Sequence, residues 1–314
     1  MVALVAAPQL ALARAPGLRS RGEWSRRMLG VGLGLLTTQA ITALMLPANV
    51  SLWIVGAMMC GCGAAMLVHE HTSRRLQAEC TRASTSIQRG ELEEARARLD
   101  SALSSARAAP HLHALLLFNR GVVDLRAGEL AAARNRLRAA LETGWITPRG
   151  RLAGAQPQVC LWMTLLEALA GDLGAARRWQ ASTVTALRAA NEPTTRHILA
   201  RRLAVDVVVE LRAGQYSAAL QRLENQRPGA SKHLTEAELR LLDVLEAFAR
   251  EHSATGQYRD HADSLELTGG RAQPREFAFL GASWSEMENF LRRRGLAVTS
   301  LGTTSAPLLP ARAS

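Results

Sequence analysis

Apolar residues recur along most of this chain at helical spacing, and the apolar runs are cut at intervals by glycine. Four times the glycine is followed by x-[Leu/Tyr]-x-x-Ala: Gly90-Glu-Leu92-Glu-Glu-Ala95, Gly128-Glu-Leu130-Ala-Ala-Ala133, Gly171-Asp-Leu173-Gly-Ala-Ala176 and Gly214-Gln-Tyr216-Ser-Ala-Ala219. The glycines stand 38, 43 and 43 residues apart. Self-similarity at a period of roughly 20–50 residues marks stacked structural units. Each unit reads as helix–turn–helix. The glycine takes the left-handed conformation that ends a helix, and the acidic or amide residue after it (Glu91, Glu129, Asp172, Gln215) suits the positive end of the next helix. The small alanine lets the second helix press on the first, and Leu99, Leu137 and Leu223 fill the groove beside it. One pair alone leaves an apolar face bare, so the units must stack.

Ahead of the repeats the pattern changes. Met28–Leu46 and Val50–Val68 each run 19 positions without a charge, separated by Pro47, Ala48 and Asn49. At 1.5 Å per residue each reaches roughly 28 Å, close to the hydrocarbon thickness of a bilayer. Small residues recur at close-packing spacing (Gly30 and Gly34; Ala57, Gly61 and Ala65), and Trp24 and Trp53 stand near segment ends. These features predict a transmembrane helical hairpin over 28–69. Arg14, Arg19, Arg21, Arg26 and Arg27 precede it, Arg74, Arg75 and Arg82 follow it, and the connecting turn is uncharged. The arginine asymmetry therefore places both termini and the repeats on the cytoplasmic side of the plasma (inner) membrane. No proline or glycine interrupts His69–Gln88, so the second span is expected to run on into the first repeat helix.

The segment from Leu117 to Leu141 resembles a tetratricopeptide repeat, with Gly121 as the small residue of the first helix, Gly128 in the turn, then Leu130, Ala133, Leu137 and Ala140-Leu141. The unit at Gly90 is similar in its second half. The unit at Gly171 departs from the pattern at Gln180 and Thr183, that at Gly214 has Val207 where a small residue is usual, and a degenerate fifth follows at Gly256. Spacings longer than the family's imply insertions, chiefly Thr143–Gln156 and Arg227–His233. The fold class expected is thus all-α: an N-terminal transmembrane hairpin followed by a tetratricopeptide-like α-solenoid. A basic arm occupies 1–27, the hairpin 28–69, the array 70–268, a capping-helix region 269–297 and a disordered tail 298–314.

The resemblance also implies a site. First helices line the concave face in that family, which assigns Leu115, Phe118, Val122 and Leu125 to it from the second unit. Leu161, Leu165 and Ala168 follow from the third, and Arg201, Ala204, Val208, Leu211 and Arg212 from the fourth. This is an apolar trough with an arginine rim, suited to a protein partner that offers an amphipathic helix or peptide segment. The chain's own C-terminus is another candidate occupant. Ser283-Trp-Ser-Glu286 reads as a capping box opening a helix over Trp284–Arg294, closed by Gly295, with Trp284, Met287, Phe290 and Leu291 on one face.

Charge and chemistry alter this picture little. The net charge is +11, but one of the 38 basic residues is lysine (Lys232) and the rest are arginine. The excess is spread along the chain, without the dense stripe or interleaved aromatics that nucleic acid needs. Cys60, Cys62, Cys80 and Cys160 form no paired framework. His69-Glu70-His71 and His111-Leu-His113 space their histidines two apart, on opposite sides of a helix, against a shared metal. Gly30-Val-Gly32-Leu-Gly34 lacks the frame of a dinucleotide loop, and neither a phosphate loop nor a nucleophile elbow is present. No catalytic residue, cofactor or small-molecule substrate is expected. The function expected is a membrane-anchored interaction scaffold with the bilayer and a protein as partners. The alternative is an accessory or assembly subunit of a membrane enzyme or transporter, docked through its hairpin.

Overall fold

The computed structural model describes residues 34, 48–106, 110–147, 152–188, 192–253 and 276–296. Among them are ten α-helices and no strand. They are α1 (Ala48–Gln88), α2 (Leu92–Ser105), α3 (Pro110–Arg126), α4 (Leu130–Glu142), α5 (Gln156–Leu169), α6 (Leu173–Arg188), α7 (Glu192–Arg212), α8 (Tyr216–Ala230), α9 (Glu236–His252) and α10 (Ser285–Arg293). Consecutive helices pair as α1/α2, α3/α4, α5/α6 and α7/α8. The first helices α1, α3, α5, α7 and α9 also touch in sequence, forming a layer with the second helices packed on it. The chain is a repeat-like stack of helix pairs.

All four recurring glycines sit at the turns, with φ between +73° and +85°. In each turn the amide after the glycine donates to the carbonyl five residues earlier. These bonds are Glu91 to Ser86 (2.9 Å), Glu129 to Asp124 (2.8 Å), Asp172 to Glu167 (2.9 Å) and Gln215 to Glu210 (2.9 Å). Only a residue without Cβ takes this conformation cheaply, so the repeated glycine is a helix stop written four times. Ala95, Ala133, Ala176 and Ala219 are fully buried, as are Leu99 and Leu137. A Cβ on Gly121 would lie 2.9 Å from Leu137 Cγ, which explains the small residue in that first helix. In the third unit Thr183 is buried and donates to Trp179 O at 2.9 Å, while Gln180 donates to Asp206 at 2.6 Å. The Thr183 hydroxyl is thus satisfied inside α6, and Gln180 ties α6 to α7.

The membrane assignment is corrected. Among the described residues no helix is long and apolar enough to cross a membrane, so the two-span inner-membrane location and the topology built on it are not supported. As expected, the segment over Val50–Val68 runs on without a break through Glu70, His71, Arg74 and Arg75 as the single helix α1. Ala48 and Asn49, expected in a turn, are helical. The basic arm, the first predicted span apart from Gly34, the degenerate unit at Gly256 and the tail lie outside the described residues. Of the predicted insertions, Arg227–Ala230 is the last turn of α8, and Ser231–His233 forms a 3-10 turn.

Candidate functional site

The inner layer holds an occupant from the same chain. Residues 276–296 lie on the first-helix side: a 3-10 turn over Ala278–Gly281, then α10. Phe277, Phe279, Leu280, Trp284, Met287, Phe290 and Leu291 are all buried, while the other face of α10 (Glu286, Glu288, Arg292, Arg293) is exposed. The anchors meet partners from four first helices or their turns. Arg126 of α3 stacks on Phe279, and Ala282 packs toward Gly128. Arg212 of α7 stacks on Trp284. Phe248 of α9 meets the rings of Trp284 and Phe290 edge-on, with centroids 5.0 and 5.3 Å away.

Polar contacts fix the register. Ser283 Oγ donates to Leu169 O at 2.6 Å, and Arg212 Nη2 donates to Ser283 O at 2.9 Å and to Leu169 O at 3.4 Å. These satisfy carbonyls at the end of α5 that have no partner inside the helix. Arg240 pairs with Glu276 at 2.8 Å, and Arg293 and Arg294 pair with Glu251. The expected capping box at Ser283 does not form, because that hydroxyl is spent on Leu169; Trp284 is the N-cap, without a side-chain cap bond. Gly295, at φ +68°, does close the helix.

Of the ten residues assigned to a partner, nine are buried: Leu115, Phe118, Val122, Leu125, Leu161, Leu165, Arg201, Val208 and Leu211. Arg212 is half-buried and clasps the C-terminal segment. Three of the ten come together at one opening. Leu165, Arg201 and Val208 line a pocket with Ala204, Val205, Leu234, Glu238, Leu241 and, from the C-terminal segment, Phe279 and Leu280. The remaining six are core.

Two features went unread in the sequence. First, buried acids on the first helices are held by arginines of neighbouring second helices. Asp124 meets Arg120 and lies 2.7 Å from Arg136 and 3.6 Å from Arg96; Glu167 pairs with Arg134 at 2.5 Å; Asp206 and Glu210 pair with Arg222 at 3.7 and 2.5 Å. Burial raises the carboxyl of Asp206 above the usual range, opposed by Gln180, Arg202 and Arg222. Arginine presents a planar fork to such carboxylates, so part of the arginine bias is structural. Glu94 with Arg98, by contrast, is a solvent-facing i,i+4 pair, whereas Asp124, Glu167 and Asp206 are buried. Second, Thr235 and Glu238 form a full capping box on α9, legible as Thr-x-x-Glu. It fixes Glu238 against Arg201, with Nε to Oε1 at 2.8 Å, inside the pocket. Burial pushes the Arg201 guanidinium down to about 10, against the pull of Glu238.

Among the described residues no group of three or more His, Cys, Asp or Glu is placed to hold a metal ion. Glu70 pairs with Arg74 at 2.9 Å, and His111 packs edge-on to Trp145. No family model matches the chain, and neither a curated protein nor a solved structure matches it. The likeness to tetratricopeptide repeats rests on the motifs and on the helix pairing alone.

Proposed function

We propose that this chain is a protein-interaction scaffold, whose first-helix layer receives a peptide or helical segment of a partner beside the resident C-terminal segment. The observation that supports this is the mode in which residues 276–296 are held. Aromatic and aliphatic anchors enter the layer, and side-chain donors fix the segment's backbone at Ser283. That is a helix-in-groove mode of recognition, which a surface built from repeated helix pairs can extend to a second segment. A photo-crosslinking amino acid at Ala204, beside the opening, is compared with one at Arg138 on the exposed side of α4. The proposal expects a discrete protein adduct from position 204 that position 138 does not give. Identical adducts from both positions, or none from 204, would sink it.

A further inference from the structure

Arg126 and Arg212 occupy the same place in two repeats. Each is the last residue of a first helix and stands two residues before the turn glycine, as Arg126-Ala-Gly128 in α3 and Arg212-Ala-Gly214 in α7. Each lies over an aromatic ring of the C-terminal segment, Arg126 over Phe279 at 5.6 Å and Arg212 over Trp284 at 5.2 Å. From there the two differ. Arg212 donates to Ala168 O at 3.3 Å, Leu169 O at 3.4 Å and Ser283 O at 2.9 Å, so main-chain oxygens fill its fork. Among the described residues Arg126 makes no hydrogen bond and no ion pair. The carboxylate that acts on it, Glu276, lies beyond ion-pair distance and is spent on Arg240 at 2.8 Å.

An unmatched guanidinium is out of place here. Arg126 is 9% exposed, and the other buried arginines, Arg120 and Arg201, each hold a carboxylate. Burial pushes the Arg126 guanidinium down to about 10. A cation taken out of water is costly unless a counter-charge accompanies it. Unlike Arg201 Nη1, the nitrogens of Arg126 are not sealed from solvent. A neutral amide could fill the fork as the carbonyls fill that of Arg212, but it would leave the charge unmatched. A carboxylate meets both needs, because its two oxygens fit the fork and its charge cancels the cation. We propose that Arg126 receives an acidic side chain, aspartate or glutamate, of the peptide segment that the first-helix layer takes beside the resident one. The inference rests on the scaffold reading and names the chemistry of its partner.

The test follows the side-chain N–H signals of the full chain, nitrogen-labelled at arginine, with the Arg126 signal assigned by its loss in Arg126→Met. Three probes are titrated at neutral pH: the end-blocked tripeptides Ala-Glu-Ala and Ala-Gln-Ala, and acetate. The expected result is a saturable shift of the Arg126 signal with the glutamate peptide. The glutamine peptide should bind roughly tenfold more weakly for want of the charge-assisted pair, and acetate more weakly than the glutamate peptide. Arg126→Met keeps an apolar stem over Phe279 and removes a buried charge, so its melting temperature should be unchanged or raised. Saturation transfer from that variant to the two peptides should no longer distinguish them. Equal binding of the two peptides to the unaltered chain, acetate as tight as the glutamate peptide, or no saturable shift at Arg126 would each overturn the proposal. So would a melting temperature lowered by several degrees in Arg126→Met, since the charge would then already be matched. The crosslink at position 204 does not involve Arg126, so failure here leaves that result standing.

Discussion

Replacing Gly121 by alanine places a methyl group where the second helix of the same pair already stands. The new Cβ would lie 2.9 Å from Leu137 Cγ, 3.0 Å from Leu137 Cδ2 and 3.4 Å from Ala133 O. Leu137 is fully buried and Cγ is its branch point, so the clash cannot be relieved by swinging a free end. Two effects oppose each other. Alanine is the better helix former by about 1 kcal/mol, while forcing one extra methyl into a filled core costs about 1–3 kcal/mol. The net expectation is a loss of roughly 0–2 kcal/mol. Gly63 supplies the internal control, because its Cβ would meet nothing within 4 Å. Gly63→Ala should therefore gain up to about 1 kcal/mol from propensity alone. The measurement is urea unfolding followed by far-ultraviolet dichroism at unchanged m-value. A third variant sharpens it: Leu137→Ala costs about 2–5 kcal/mol by itself, but in its presence Gly121→Ala should turn stabilising. If Gly121→Ala and Gly63→Ala shift stability alike, within about 0.5 kcal/mol, the two helices of the pair do not approach as described.

Trp284→Ala removes a buried ring clamped between Arg212 and Phe248 and should cost about 3–5 kcal/mol in urea unfolding; a loss under about 1 kcal/mol would mean that the C-terminal segment is not docked. Burial raises the Cys80 thiol to about 12 and the Cys160 thiol to about 11, whereas Cys60 is exposed and Cys62 half-buried. A colorimetric disulfide reagent at pH 8 should thus count two fast thiols in the native protein and four after denaturation; fast reaction at Cys80 in the native state would contradict its burial. Burial, and then the Arg201 charge, lower the His197 pKa below its ordinary 6.5. The unfolded chain takes up that proton first, so the contribution of His197 is present above about 6.5 and is lost as pH falls through the folded value. The melting temperature should fall from pH 7.5 to pH 5.5 less steeply in His197→Asn than in the parent; identical slopes would refute the assignment.

Much of the fold was legible because its punctuation is local. A glycine that must adopt positive φ, an alanine five residues on and a leucine four beyond that are constraints within one turn and one contact, and they survive as a pattern at Gly90, Gly128 and Gly214. The Gly171 unit was harder, since Gln180 and Thr183 act through Asp206 and Trp179, one of them 26 residues away. Most residues assigned to the trough are apolar, but apolarity does not say whether a residue faces a groove or the core: Leu115 and Leu165 look alike in sequence, and of the two Leu165 lines the opening. The hairpin over 28–69 was inferred from runs of uncharged residues, while the lack of proline or glycine over His69–Gln88 rightly gave one continuous helix, α1. The capping reading at Ser283 failed. A hydroxyl has more than one carbonyl or amide to choose from, and Leu169, 114 residues earlier, was the better partner.

The strap across the first helices also bears on how the chain comes to be folded. An array in which each pair touches only its neighbours can form from its beginning while the rest is still being made. Here the ends of α3, α5, α7 and α9 are tied together by residues 276–296, which are synthesised after all of them. Until those residues leave the ribosome the face they cover stays open to water, so closure of the first-helix layer waits for residues 276–296.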